Sequence, residues 1–494
     1  MPARRLLSIL FVSVLVVASC SDDGGVDDAA IDDGTTTTDP PVTGSTAPPA
    51  PADVVVTGPV AGAPQTSGAS GLDEAGYVEE EYFVSGTAVR FEPDGPLEDD
   101  GRWSVTEGEA APFTTRILVK RPVDPGDASG VVVVEWNNVS AGADGTPDWS
   151  YTSAELLRSG HVHVGVSAQA AGIDGEVGGG LGGFGTPLVP ADPERYGDLS
   201  HPGDPYSYDI FRLVGRLVRG GATDGPDPLD EIPVAHVLAV GESQSAFRLT
   251  TYVNAVHPLD DEVFDGFLVH SRGGGAAPLD DGEGLASGVA GSVLLRDDLA
   301  APALVFSTET DLTVLGYRNA RQPDGDSIVG WEVAGTAHAD AFLLGGDPAV
   351  GEALGCSGPI NDGPQHVALK AAMAALVDWV VDGDPPAPSP RIEIEGDAIV
   401  RDDDGLAVGG IRLPAVEVPF ASLSGDPRPG SGVLCSLFGS TEAFSPADMS
   451  ARYGTSDGYV AQVDDAYDDA VAAGFALEAD RDAVLTEARS VPFG

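Results

Sequence analysis

An apolar run, Val234-Ala235-His236-Val237-Leu238-Ala239-Val240, breaks at Gly241-Glu242-Ser243-Gln244-Ser245 and resumes as Ala246-Phe247-Arg248-Leu249-Thr250. A buried strand that turns sharply into a helix leaves few architectures open. Ser243 stands at the turn, where a side chain is pushed out of the chain at the start of a helix. Its hydroxyl is then accessible, and the helix N-terminus helps to hold negative charge that develops there. Gly-x-Ser alone is common by chance, and the strand and helix around it give the motif its weight. Ser245 takes the fifth position, usually glycine, so the close approach of helix to strand must accommodate a small side chain.

The rest of the chain repeats the alternation. Strand signals lie at Tyr82–Val84, Thr87–Phe91, Thr115–Lys120, Val131–Trp136, His161–Ser167, Phe264–His270, Ala303–Ser307 and Ile328–Val333. Helix signals lie at Ser153–Ser159, Tyr208–Arg219 and Ala368–Val381, the last closed by Gly383. This order predicts a mostly parallel sheet with helices on both faces. Two glycine-rich insertions, Gly172–Gly185 and Gly273–Ala290, follow strands at the sheet's ligand-binding edge. Each reads as a lid over the pocket or as a plain surface loop. Beyond Pro385-Pro386-Ala387-Pro388 strand signals thin out, with a helical stretch near Val460–Ala473. Residues 53–395 therefore read as the main domain and 396–494 as an extension packed on it.

A serine hydroxyl needs a base to take its proton and an acid to orient that base. In folds of this kind the chain order is Ser, acid, His. Only His338 and His366 follow both Ser243 and the acid candidates. His338 lies in a loop beyond the last strand and is the expected base. His366 opens a helix and reads as a pocket-wall residue. Asp311 and Glu309 both lie beyond the Ala303 strand. Asp311 is favoured as the acid because its short side chain suits a fixed contact, with Glu309 as the alternative. The oxyanion formed during attack needs two donors. The backbone N–H of Gln244 is one, and the backbone of Asn138 or a neighbour in Asn137-Asn138-Val139-Ser140 is the expected second. Such chemistry requires no metal and no organic cofactor, and no Cys/His spacing suggests zinc. Arg272 reads either as a contact for a substrate carboxylate or as half of a structural ion pair, and the latter is favoured.

Arg4 and Arg5 precede a short apolar stretch, Leu6–Val17, that ends in Val17-Ala18-Ser19-Cys20. Residues 1–20 read as an export signal resembling a bacterial lipoprotein cleavage box, with Cys20 as the lipidated residue. The alternative is an ordinary secretory signal with an incidental Cys20. Residues 21–52, rich in Asp, Thr, Pro and Gly, read as a disordered tether. Lys+Arg number 25 against 78 Asp+Glu, a net charge of −53 that repels nucleic acid and anionic lipid. Salt adaptation and a codon-biased genome account for this acidity equally well. With Cys20 set aside, Cys356 and Cys435 remain. In an exported protein they are expected to form a disulfide, the alternative being two separate thiols.

Several segments taken together resemble an "alpha/beta hydrolase domain" family of bacterial proteins, from about Thr57 to near the C-terminus. They are Glu135–Ser140, Val166–Gln169, His201–Asp204, Gly241–Ser245, Thr308–Asp311, Trp331–Asp340 and Gly409–Pro414. The resemblance implies the α/β-hydrolase fold and a nucleophile at Ser243, and little about substrate. The expected function is an exported serine hydrolase that cleaves small or medium carboxylic esters through an acyl-enzyme, held at the membrane by its lipid. A serine peptidase or amidase on the same scaffold is the alternative, and a ligand-binding lipoprotein without catalysis a more distant one. Oligomeric state is not legible.

Overall fold

The computed structural model describes residues 52–65, 71–175, 185–220, 222–280 and 292–494. The signal, Cys20, nearly all of the tether and parts of both glycine-rich insertions lie outside them. Runs that are apolar at almost every position form the middle of the sheet, because helices cover both its faces. These are β4 (Val131–Trp136), β5 (Val162–Val166), β7 (His236–Glu242), β8 (Gly266–His270), β9 (Ala303–Thr308) and β10 (Ile328–Val333). Three long or peripheral strands, β1 (Ala52–Thr57), β2 (Tyr77–Pro93) and β3 (Val105–Pro122), and the short β6 (Ala222–Asp224) complete a ten-stranded sheet. Its order is β10-β9-β8-β7-β4-β5-β3-β2-β1-β6. From β10 to β5 all neighbours are parallel, and β5-β3-β2-β1 are antiparallel.

Alternate residues of each central strand feed opposite cores. Val132, Val134, Val237 and Ala239 pack with Ile210, Phe211 and Val214 of the Ser207–Gly220 helix. Val131, Val133, Leu238 and Val240 pack with Leu369, Met373 and Leu376 of the Gln365–Asp382 helix and Trp149 of the Pro147–Arg158 helix. Burying each such Val or Leu contributes about 1.5–3 kcal/mol.

Three local expectations shift. The two opening strand segments are one strand, because Ser85 and Gly86 stay in register with Thr114 and Phe113. The first long helix starts at Pro147 rather than Ser153, since Pro is tolerated in a first turn and Asp148 suits its positive end. The C-terminal region carries two small antiparallel sheets, Ile394–Glu395 with Ala398–Ile399 and Ala421–Ser424 with Ser440–Ala443, whose strands are too short to show a periodic pattern.

That region is bound to the edge of the main sheet. Ile411 lies parallel to Val333, its N–H donating to Glu332 O (2.7 Å) and its carbonyl accepting from Ala334 N (3.0 Å). The contact covers part of an otherwise open edge. Cys356 and Cys435 form a disulfide with Sγ atoms 2.08 Å apart across 79 residues. Constraining an unfolded loop of that length stabilises the fold by about 4–5 kcal/mol in the loop-entropy view.

Candidate active site

At the end of β7 the backbone turns so tightly that Ser243 takes φ 58° and ψ −118°. A non-glycine residue held there costs about 1–3 kcal/mol and persists only where neighbours enforce it. Ser243 N–H donates to His270 O (3.0 Å), and Phe247 N–H donates to Ser243 O (3.1 Å). A Cβ on Gly241 would lie 3.2–3.3 Å from the backbone and Cβ of Ser245, a tight approach of helix to strand that glycine eases. The Ser245 hydroxyl also bonds Glu242 O (2.9 Å), a contact a glycine would lack.

Ser243 is half-buried, and its Oγ lies 2.7 Å from His338 Nε2. His338 Nδ1 lies 2.7 Å from Asp311 Oδ1. An ionised carboxylate only accepts, so Nδ1 carries the proton and Nε2 is left to accept from the serine hydroxyl. The other oxygen of Asp311 accepts from the N–H (2.7 Å) and hydroxyl (2.8 Å) of Thr308, which caps the Glu309–Thr313 helix. Burial works against a charged His338. The hydrogen bond and charge of Asp311, with Glu242 beyond, outweigh it and raise its pKa above the ordinary value.

Glu309 faces elsewhere. It accepts from Gly335 N–H (2.6 Å), Gly425 N–H (2.9 Å) and Arg401 Nη2 (2.9 Å). It ties the His338 loop to the C-terminal region, which also accepts Ala339 N–H at Leu437 O (3.0 Å). The region expected to be a packed extension thus helps to hold the histidine. His366 lies against Phe342 with ring centroids 4.1 Å apart, and burial pulls its imidazole down to about 3, too weak for a general base.

The expected oxyanion donor Asn138 is not free. Its N–H donates to Gly145 O (2.8 Å), and its side-chain amide donates to the backbone and carboxylate oxygens of Glu242 (both 3.0 Å). The adjacent Val139 N–H has no intramolecular acceptor among the described residues, nor has that of Gln244 at the helix start, where such donors are orphaned. Arg272 makes no ion pair among the described residues. It is fully buried and donates to the carbonyls of Gly273, Gly275 and Val293, because its loop folds back over it. Burial lowers it to about 10.

Gln244, the residue after Ser243, joins a side-chain network that the sequence does not announce. Trp136 Nε1 donates to Gln169 Oε1 (3.0 Å), and so does Gln244 Nε2 (2.8 Å). Gln169 Nε2 donates to Asp204 (3.1 Å), which also accepts from Arg248 (2.8 Å). Gln169 and Asp204 lie in the segments quoted above, but only the fold brings them to one place. Among the described residues no group of three or more His, Cys, Asp or Glu is arranged to hold a metal ion.

No protein of curated function matches the sequence. Among solved structures, one of two fungal esterases from Rhizomucor miehei aligns at 12% identity over 61% of this chain and 85% of its own, with a TM-score of 0.31. A serine hydrolase without a lid from Xanthomonas campestris aligns at 13% over 53% of this chain and 87% of its own, with a TM-score of 0.26. A serine hydrolase homologue from Coxiella burnetii aligns at 10% over 47% and 86%, with a TM-score of 0.27. Likenesses this remote carry no weight for substrate. The family model described as "Alpha/beta hydrolase domain" matches residues 41–486, nearly the whole chain. The chain belongs to that family and is an α/β hydrolase.

Proposed function

We propose that this protein is an exported serine hydrolase that cleaves carboxylic esters through an acyl-enzyme. The observation that carries the reading is the continuous hydrogen-bonded chain from Ser243 through His338 to Asp311, with the serine on a strained turn. Ser243 Oγ attacks the ester carbonyl carbon while His338 Nε2 takes its proton. The carbonyl oxygen becomes an oxyanion held by the N–H groups of Gln244 and Val139. His338 then gives its proton to the departing alkoxide. Water repeats the sequence on the acyl-enzyme and releases the acid.

The N-terminal sequence supports export and lipidation at Cys20. Loss of metabolic fatty-acid labelling and of membrane retention in Cys20→Ser checks the anchor. The chemistry is tested on the domain from about residue 53 with a fluorophosphonate probe, a panel of p-nitrophenyl acyl esters and aminoacyl amides. Wild type labels at Ser243 and turns over esters, whereas Ser243→Ala does neither. Amide turnover well above ester turnover would instead make the protein a peptidase or amidase. Absence of both labelling and turnover in wild type would remove the enzyme reading.

A further inference from the structure

We propose that Glu242 is a second carboxylate partner of His338, facing the nitrogen opposite the one Asp311 holds, and that it stabilises the imidazolium formed when Ser243 gives up its proton. The proposal rests on the serine-hydrolase reading and adds a positioning residue to it. Glu242 is the last residue of β7, immediately before the nucleophile, and is only 5% exposed. Its Oε1 lies 3.5 Å from His338 Nε2.

The carboxylate is clamped. Asn138 Nδ2 donates to Glu242 Oε2 and to the Glu242 carbonyl, both at 3.0 Å. Asn138 Oδ1 accepts from Ser140 N–H (2.8 Å), which fixes which end of that amide is the donor. Asn138 is itself pinned to Gly145 by two backbone bonds of 2.8 Å. The asparagine expected to face the oxyanion instead aims a carboxylate at the base.

The groups facing Glu242 come from every neighbouring element. They are His338 beyond β10, His270 at the end of β8, Asp148 and Tyr151 on the Pro147–Arg158 helix, and Asp311 on the Glu309–Thr313 helix. Among the described residues no arginine or lysine pairs with it, so histidine is its cationic partner. Burial pushes its carboxyl up to about 7, against the pull of His338 and His270, so it changes charge in the range where hydrolases work.

The timing of the contact gives it its effect. In the resting enzyme Nε2 accepts from Ser243, so Nε2 and Glu242 Oε1 are both acceptors and make no bond. During attack the Ser243 O–H bond breaks, a bond forms from Oγ to the carbonyl carbon, and the carbonyl π pair moves to oxygen. The proton moves to Nε2, and a cation then stands 3.5 Å from the carboxylate. The attraction exists only in the charged state, so it favours the transition state over the ground state. The proton later leaves with the alkoxide, and Glu242 ends as it began. While Glu242 is ionised the same attraction also holds the proton on resting His338, and so raises the pH at which the base becomes free to act. His338 and Glu242 titrate as a coupled pair.

Glu242→Gln keeps an acceptor for Asn138 and removes the charge. Both kcat/KM for a p-nitrophenyl ester and the fluorophosphonate labelling rate of Ser243 are measured from pH 5 to 9, with folding checked by near-UV circular dichroism. We expect the acid limb of both profiles to move down by about one pH unit or more, the size an opposite charge within about 6 Å exerts. The plateau of kcat/KM falls by about tenfold. Glu242→Asp, which withdraws the charge by one methylene, moves the limb less and in the same direction. It serves as the test if the Gln variant does not fold. If wild type labels but the variant limbs superimpose on it, Glu242 has only a structural role and the proposal is overturned. If wild-type Ser243 does not label at any pH, the hydrolase reading fails first and this proposal with it.

Discussion

Asp311→Asn and Glu309→Gln separate two carboxylates that stand two residues apart in the chain but face different partners. In Asp311→Asn the two donors of Thr308 keep the amide oxygen on their side. The amide NH₂ is then turned toward His338 Nδ1, which must accept. The imidazole proton moves to Nε2, and the nitrogen that should receive the Ser243 proton is blocked. A base locked in the wrong tautomer costs about 10⁴ in kcat, or about 5 kcal/mol of barrier. Glu309→Gln acts on stability instead. The carboxylate accepts on both oxygens, from Gly335 on one side and from Gly425 and Arg401 on the other. An amide can serve only one side, and its NH₂ then opposes a backbone donor. Breaking a buried ion pair costs about 3–5 kcal/mol. Arg401 is 21% exposed and has a second partner in Asp426, which brings the loss to about 2–3 kcal/mol. Unfolding entropy of about 0.9 kcal/mol per degree for ~440 residues turns this into a Tm lower by about 2–3 °C. Ester turnover at 20 °C should fall less than about tenfold. Steady-state kinetics with a p-nitrophenyl ester, alongside a thermal melt of each variant, read both quantities. The reasoning is refuted if Glu309→Gln loses a thousandfold or more of kcat at unchanged Tm while Asp311→Asn stays active.

Asp340 gives a prediction with the opposite sign from most carboxylates. Burial raises it from 3.8 to about 7, so between those values the folded state binds more protons than the unfolded and stability falls as pH rises. The shift corresponds to a penalty of up to about 4 kcal/mol above neutrality. In Asp340→Asn a buried amide hydrogen left without an acceptor takes back about 1–3 of these. Urea titrations should therefore find the variant more stable than wild type by about 1–3 kcal/mol at pH 8, with the difference reversing toward pH 4, where only the amide's cost of about 1–3 kcal/mol remains. A gain that is the same at both pH values would show that charge is not its cause. Replacing Cys356 and Cys435 together by Ser should lower stability by about 4–5 kcal/mol. Heat should then inactivate that variant sooner, because Leu437 beside the bridge holds Ala339 of the histidine loop; equal half-lives at 45 °C would contradict this.

Much of the architecture was legible because it is written in contiguous residues. The mostly apolar runs of β4 and β10 mark these strands to the residue, and the strand and helix that flank it mark the turn at Ser243. Chain order narrowed the base to His338 or His366 and the acid to Asp311 or Glu309. It could rank these candidates, but which partners stand across space from each is a matter of the fold. Thr308 turns Asp311 toward His338, and the glycines at 335 and 425 with Arg401 claim Glu309. The loop at 137–140 shows the limit most clearly. Asn138 and Val139 are equally good donors in sequence, yet the pairing of Asn138 with Gly145 uses one N–H and leaves the next. Glu242 carries no signal of its own in the sequence, because the role of a residue before such a turn depends on what the folded chain sets against it. Hydrophobic periodicity comes from a residue's own neighbours, whereas a donor's availability or a carboxylate's protonation is set by groups tens to hundreds of residues away.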